Sequence, residues 1–174
     1  MINWALIPVK SFDVGKSRLR KVFSLQELIL LNISLFQSTF LKVKDSGQFD
    51  HILVVSRDKS ALAWAEANRG ECQPEEGNET LNSALTQGLA WIVSHGAGSV
   101  LILPTDLPLL TVSDLCALET YHPEDPGMLI VPDHAQLGTN ALMLTRPDLL
   151  TPQFGANSFQ LHCKQAEQLH LNQI

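Results

Sequence analysis

No apolar stretch in this sequence is long enough to span a bilayer. The greasiest, residues 28–41, is interrupted by Asn32, Ser34 and Gln37, short of the roughly 20 apolar residues a transmembrane helix requires. Cysteine is scarce too. Cys72, Cys116 and Cys163 are odd in number and far apart, which argues against a disulfide framework or a zinc site and suits a reducing cytoplasm. The first residues enter an apolar run without the basic segment and cleavage site of a secretory leader, so a cytoplasmic chain is expected. No low-complexity tract, repeat or linker divides the sequence, and its length fits one domain over residues 1–174. The net charge of −6 argues against general nucleic-acid binding.

Positive charge is low and also uneven. Of the twelve Lys and Arg, five fall between Lys10 and Lys21; beyond Glu71 only Arg146 and Lys164 remain. An acidic chain with one local knot of cations suggests a small, highly charged anionic ligand at that knot.

The 45% of apolar residues is arranged in short runs separated by helical patterns. Residues 2–9 read as a strand and residues 10–20 as a polar loop. Ser24 with Glu27 makes a capping-box pattern, which opens a helix to about Lys44. A strand is expected at 51–56 and an alanine-rich helix at 59–69, stopped by Gly70. A third helix is expected at 78–95. Strand 99–104 and helix 113–121 follow, then strands at 128–132 and 141–145 and a last helix at 158–170. Strand and helix alternate throughout, which predicts a layered α/β fold with a mainly parallel sheet.

The centre of the pattern is VLILPTDLPLL, residues 100–110. Its first half is a continuous apolar run, as in a strand buried on both faces. Pro108 prevents regular continuation, so Asp106 is left at the carboxyl end of a central strand, where ligands bind in open α/β sheets. Such a carboxylate either ligates Mg²⁺, which takes one or two carboxylates and fills up with water and phosphate oxygens, or caps the following turn or helix.

Gly15-Lys16-Ser17 ends like a Walker A loop, but the glycine required five places earlier is Lys10, which excludes a P-loop enzyme. What remains is a strand-to-helix loop carrying Lys10, Lys16 and Arg18, suited to a triphosphate or merely a solvated basic loop. Asn82, near the start of the third helix, has an amide that matches a nucleobase edge or ribose, or else belongs to an ordinary first turn. Near the carboxyl end, Ser158 is a candidate N-cap, so the amides from Gly155 onward could face an anion. His162 follows one turn later on the same face. An ordinary capped helix with a surface histidine is the alternative.

In order along the chain, Pro8-Val9-Lys10 with Lys16-Ser17-Arg18-Leu19, Val54-Val55-Ser56, Leu81-Asn82-Ser83-Ala84-Leu85, Asp106-Leu107-Pro108-Leu109-Leu110, Pro132-Asp133, Gly138-Thr139-Asn140-Ala141-Leu142 and Phe154-Gly155 with Ser158-Phe159 and His162 resemble the 2-phospho-L-lactate guanylyltransferases. These belong to the Rossmann-like nucleotidyltransferases related to the molybdenum-cofactor guanylyltransferases. The resemblance implies a three-layer α/β/α fold with a mainly parallel sheet. It also implies transfer of GMP from GTP to 2-phospho-L-lactate, phosphoenolpyruvate or 3-phosphoglycerate, with release of pyrophosphate, in the biosynthesis of coenzyme F-420. Lys10, Lys16, Arg18 and Asn82 would serve the nucleotide, with Lys16 also catalytic. Asp106 would be both catalytic and a Mg²⁺ ligand. Thr139, Gly155, Ser158 and His162 would hold the phospho-acid.

The partners implied are therefore GTP and a small phospho-acid, with a homodimer also compatible. Two departures stand out. Thr80 replaces the family's glycine before Leu81, and the family's further acidic metal ligands lie on a strand past the last helix, whereas this sequence ends at Ile174. A chain truncated at the carboxyl end, or a member lacking part of the metal site, is the corresponding expectation. A molybdopterin or sugar-phosphate nucleotidyltransferase and an inactive nucleotide-binding module are the rival readings.

Overall fold

The computed structural model describes residues 3–14, 17–77, 80–96 and 98–174, leaving aside the side chains of residues 17, 18 and 119. Lys16 therefore lies outside the described residues, and so does the side chain of Arg18. The elements are β1 (Asn3–Val9), a 3-10 turn (Ser17–Lys21), α1 (Leu25–Ser46), β2 (His51–Ser56), α2 (Lys59–Ala67), β3 (Glu71–Pro74), α3 (Leu81–Ser94), β4 (Ser99–Ile102), α4 (Val112–Thr120), β5 (Gly127–Pro132), β6 (Thr139–Leu144), α5 (Ser158–Gln168) and β7 (Asn172–Gln173). The strands form one sheet in the order β3-β2-β1-β4-β6-β5-β7. Among the described residues only β6 runs against the rest: it pairs antiparallel with both β4 and β5, while the other neighbours are parallel.

Because the sheet is covered on both faces, its strands need no polar alternation. Ala5, Ile7 and Val9 of β1 point to the side where Phe36 and Phe40 of α1, Ala61 and Ala65 of α2 and Leu115 of α4 pack. Trp4 and Leu6 point to the other side, against Leu85, Leu89 and Ile92 of α3 and Ala166 of α5. Three layers result, as the alternation of elements predicts. On the second face α3 comes especially close: a Cβ at Gly88 would lie 2.7 Å from Leu6 Cδ1 and 2.9 Å from Val55 Cγ2. Both neighbours are fully buried, so neither has room to yield. Gly88→Val is expected to cost about 1–3 kcal/mol by overpacking, read as a lower urea midpoint; an unchanged midpoint would show that the two layers are not locked here.

Element ends have local causes. Ser24 and Glu27 make the full reciprocal capping box of α1, and Gly47, at φ +65°, closes it in the left-handed conformation glycine tolerates best. The end of α2 differs from the sequence reading. Its last helical residue is Ala67, the left-handed residue is Arg69 at φ +69°, and Gly70 is required for space, since a Cβ there would lie 2.6 Å from the Phe40 ring. Thr80 caps α3 in an extended conformation (φ −117°), accepting from the Ser83 N–H, so no glycine is needed at this position. The cap of α5 is Asn157 at φ +59°, not Ser158, which is the helix's first residue. Two strands were not foreseen, β3 and β7. Among the described residues no helix is long and apolar enough to cross a membrane.

Candidate active site at the carboxyl edge of the sheet

The strand order reverses between the parallel β1 and β4: the chain leaves β1 toward β2 on one side and β4 toward β5 on the other. At such a switch point the loops part and open a crevice over the carboxyl ends of the strands. Two adjoining cavities occupy it. One, of about 220 Å³, is lined by Pro8 to Lys10 from the end of β1 and by Pro104, Thr105 and Asp106 from the end of β4. The other, of about 90 Å³, lies toward β2 and β3 and is lined by Arg57, Glu75, Thr80 and Ala84. Pro8, Val9, Lys10, Val14 and Leu81 border both, so the two are compartments of one cleft.

The loop after β1 is anchored from below. Phe12 is buried against Phe36, with ring centroids 6.0 Å apart. The Phe12 N–H donates to Asp58 Oδ2 (3.0 Å) and its carbonyl accepts from Asn32 Nδ2 (2.9 Å). Burial alone would raise the pKa of Asp58, but the Ser60 hydroxyl and the N–H groups of Phe12, Ala61 and Ser60 outweigh it and hold the carboxyl below its ordinary value. The anchor therefore stays charged near neutral pH, and Lys10 is presented at the cleft by a pinned loop.

Asp106 is exposed and lines the larger compartment. Among the described residues it has no hydrogen-bond or ion-pair partner, and the cap of α4 is made instead by Thr111 and Asp114. A lone carboxylate facing a cleft is a hard oxygen donor of the kind Mg²⁺ accepts when waters and phosphates complete its shell. The described residues contain no cluster of three or more His, Cys, Asp or Glu that could hold a metal by themselves.

The carboxyl-terminal residues form a separate, buried polar group. Asp133 organises the turn between β5 and β6 by accepting from the Leu137 N–H at 2.8 Å. The turn delivers Thr139 to the start of β6. Ser158 opens α5 beside it, and their hydroxyl oxygens are 3.0 Å apart. His162 is 0% exposed. Its Nε2 lies 2.9 Å from the Gln153 amide nitrogen and its Nδ1 3.2 Å from Thr139 Oγ1. A backbone N–H can only donate, so Nε2 is the acceptor and the ring proton resides on Nδ1, donated to Thr139. Burial pushes the His162 pKa down to about 4, which keeps the ring neutral.

Thr139 and Ser158 thus receive one proton from His162 and share one hydrogen bond. One of their two hydroxyl protons is left for a further acceptor. His162 is not the surface histidine of the blander sequence reading; it braces the loop at Gln153, and Phe154 lies against its ring at 5.0 Å. Gly155, at φ +130°, takes a backbone conformation other residues rarely adopt.

Asn82 joins the two regions. Its Nδ2 donates to the Phe154 carbonyl (3.1 Å) and its Oδ1 accepts the Phe154 N–H (2.8 Å). Both functions of the amide are engaged inside the protein, so Asn82 fastens the loop at residues 153–155 to the start of α3, next to Leu81 at the cleft. The structure thus brings Lys10 and Asp106 to one cleft, and Thr139, Ser158 and His162 to one network. Sequence reasoning missed Glu75, which reaches the cleft only because β3 exists, and the reciprocal Asn82–Phe154 pairing.

The family model for CofC-like guanylyl transferases matches residues 3–174. The phosphoenolpyruvate guanylyltransferase of Rubrobacter xylanophilus is 36% identical over 166 residues, covering 95% of this chain and 80% of the relative. The 2-phospho-L-lactate guanylyltransferase of Methanothermobacter thermautotrophicus is 31% identical over 174 residues, covering 99% and 74%. Among solved structures, a nucleotidyl transferase from Methanothermobacter thermautotrophicus has the same fold, with a TM-score of 0.70, 13% identity, and coverage of 99% of this chain and 85% of that one.

Proposed function

The chain belongs to the family of CofC-like guanylyl transferases, and from that premise we propose that it transfers GMP from GTP to a small phospho-carboxylate in coenzyme F-420 biosynthesis. The acceptor class is 2-phospho-L-lactate, phosphoenolpyruvate or 3-phosphoglycerate. The observation that carries this reading is the cleft at the β1/β4 reversal, with the Lys10 cation on one wall and the unpartnered Asp106 carboxylate on the other.

In the proposed reaction an acceptor phosphate oxygen attacks the α-phosphorus of GTP. A new P–O bond forms, the bond between the α-phosphorus and its bridging oxygen breaks, and that oxygen leaves with pyrophosphate. The nucleophile is already ionised at neutral pH, so no general base is needed. The protein's task is positioning and charge neutralisation. Lys10 would face the triphosphate, with Lys16 and Arg18 of the same loop proposed beside it. Thr139, Ser158 and the Gly155 backbone would hold the phospho-acid, and His162 and Asn82 would hold those groups in place. Mg²⁺, when bound, would be held by Asp106 and would offset phosphate charge there.

The test is pyrophosphate release from Mg²⁺-GTP with each of the three phospho-acids in turn. Turnover with one of them is expected. Turnover only with a molybdopterin or sugar phosphate would move the chain to another acceptor class. A GTP-dependent rise in melting temperature without turnover on any acceptor would make it a binding module.

A further inference from the structure

The smaller compartment contains a group that neither the phosphates nor the acceptor explains. Glu75 follows β3, and its backbone N–H donates to the Ser56 carbonyl at the end of β2 (3.0 Å). Its side chain is only 9% exposed and lines the compartment. The Arg57 Nε lies 3.5 Å from Oε1, close enough to favour the charged carboxylate. Yet Oε1 is buried with no hydrogen-bond donor, and neither oxygen accepts from any described residue. A buried carboxylate left in that condition is costly unless a ligand completes it.

The rest of the compartment narrows the choice of ligand. Pro8, Val9, Val14, Leu81 and Ala84 make half of its lining, beside Lys10, Ser11, Arg57 and Thr80, and Arg57 is already engaged by Glu75 and the Gly77 carbonyl, which suits a flat ring better than a phosphate. It adjoins the compartment holding Lys10 and Asp106, so a ring seated here would have its phosphates there. Resting on the proposed use of GTP, we infer that Glu75 reads the guanine base. Guanine presents N1–H and a 2-amino group side by side, two donors matched to the two oxygens of one carboxylate. Adenine presents a lone pair at N1, which the same carboxylate repels. Selection against adenine then comes from a buried carboxylate left without a hydrogen-bond donor as well as from a lost bond.

The experiment is equilibrium binding to the full chain with Mg²⁺ and without acceptor, comparing GTP, ITP, 1-methyl-GTP and ATP. GTP is expected to bind at least tenfold more tightly than ITP, which lacks the 2-amino group. It should exceed 1-methyl-GTP and ATP by at least a hundredfold. In Glu75→Gln, GTP affinity is expected to fall at least tenfold and the ratio of GTP to ITP to shrink below threefold. ITP binding as tightly as GTP in the parent chain would overturn the assignment without any variant, so a Glu75→Gln chain that failed to fold would not protect it. An unchanged GTP-to-ITP ratio in a folded Glu75→Gln would overturn it equally. If the parent binds none of the four nucleotides, the guanylyltransferase reading fails first, and this outcome is distinct from both.

Discussion

Asp106→Asn is expected to lower kcat/KM for GMP transfer at least a hundredfold, about 2.7 kcal/mol of barrier, while leaving the urea midpoint unchanged. The two halves of this expectation come from the same observation. The side chain is exposed and touches no described partner, so an isosteric amide removes nothing that holds the fold. It does remove the negative charge with which β4 faces the cleft. Without Mg²⁺, parent and variant should bind GTP alike; with Mg²⁺, only the parent should gain affinity. Turnover within threefold of the parent would refute the metal-holding role, whatever the binding data show.

That site could be placed from sequence because a buried apolar run followed by a polar residue and a proline marks the end of a central strand. Lys10 was legible because it opens the cation-rich loop that follows the first apolar run. The bounds of β2 and the capping box of α1 were legible as well, since each follows from contiguous residues. Glu75 was not. Its strand, ECQP, is an edge of four half-buried or exposed residues with neither an apolar run nor alternation, and only the β2 backbone makes it a strand. The direction of β6 was equally hidden, because an apolar strand looks the same read either way. The pairing of Asn82 with Phe154 spans 72 residues, beyond the reach of any local pattern.

His162→Leu is expected to raise the KM for the phospho-acid at least tenfold while the KM for GTP stays within twofold. Leucine fills much of the volume but neither accepts the Gln153 N–H nor donates to Thr139, so both the loop and the hydroxyl pair lose their fixed orientation. His162→Gln restores one acceptor and one donor on a neutral group, and is expected to return the acceptor KM to within threefold of the parent. Equal behaviour of the two variants would reduce His162 to a packing residue. The same ring makes stability depend on pH. Its folded pKa of about 4 lies below the unfolded value of 6.5, so between these values the unfolded chain binds the extra proton. The contribution is complete above pH 6.5 and is lost as pH falls toward 4, at up to about 1.4 kcal/mol per pH unit. Urea unfolding at pH 7, 6 and 5 should show this slope in the parent and a shallower one in His162→Leu; parallel curves would remove the titration from His162.

The antiparallel β6 separates the residues proposed to read the donor from those proposed to hold the acceptor. β1, β2 and β3, with the start of α3, shape the wall around Glu75 and Lys10, while the β5–β6 turn and the start of α5 supply Thr139 and Ser158. Besides their shared core, the two sets are joined by the pairing of the Asn82 side-chain amide with the Phe154 backbone. On the proposed assignment, mutational drift in the second set would exchange one acceptor for another while the donor half stays as it was. On that assignment a family with this architecture would diversify in what it modifies without reinventing what it modifies with.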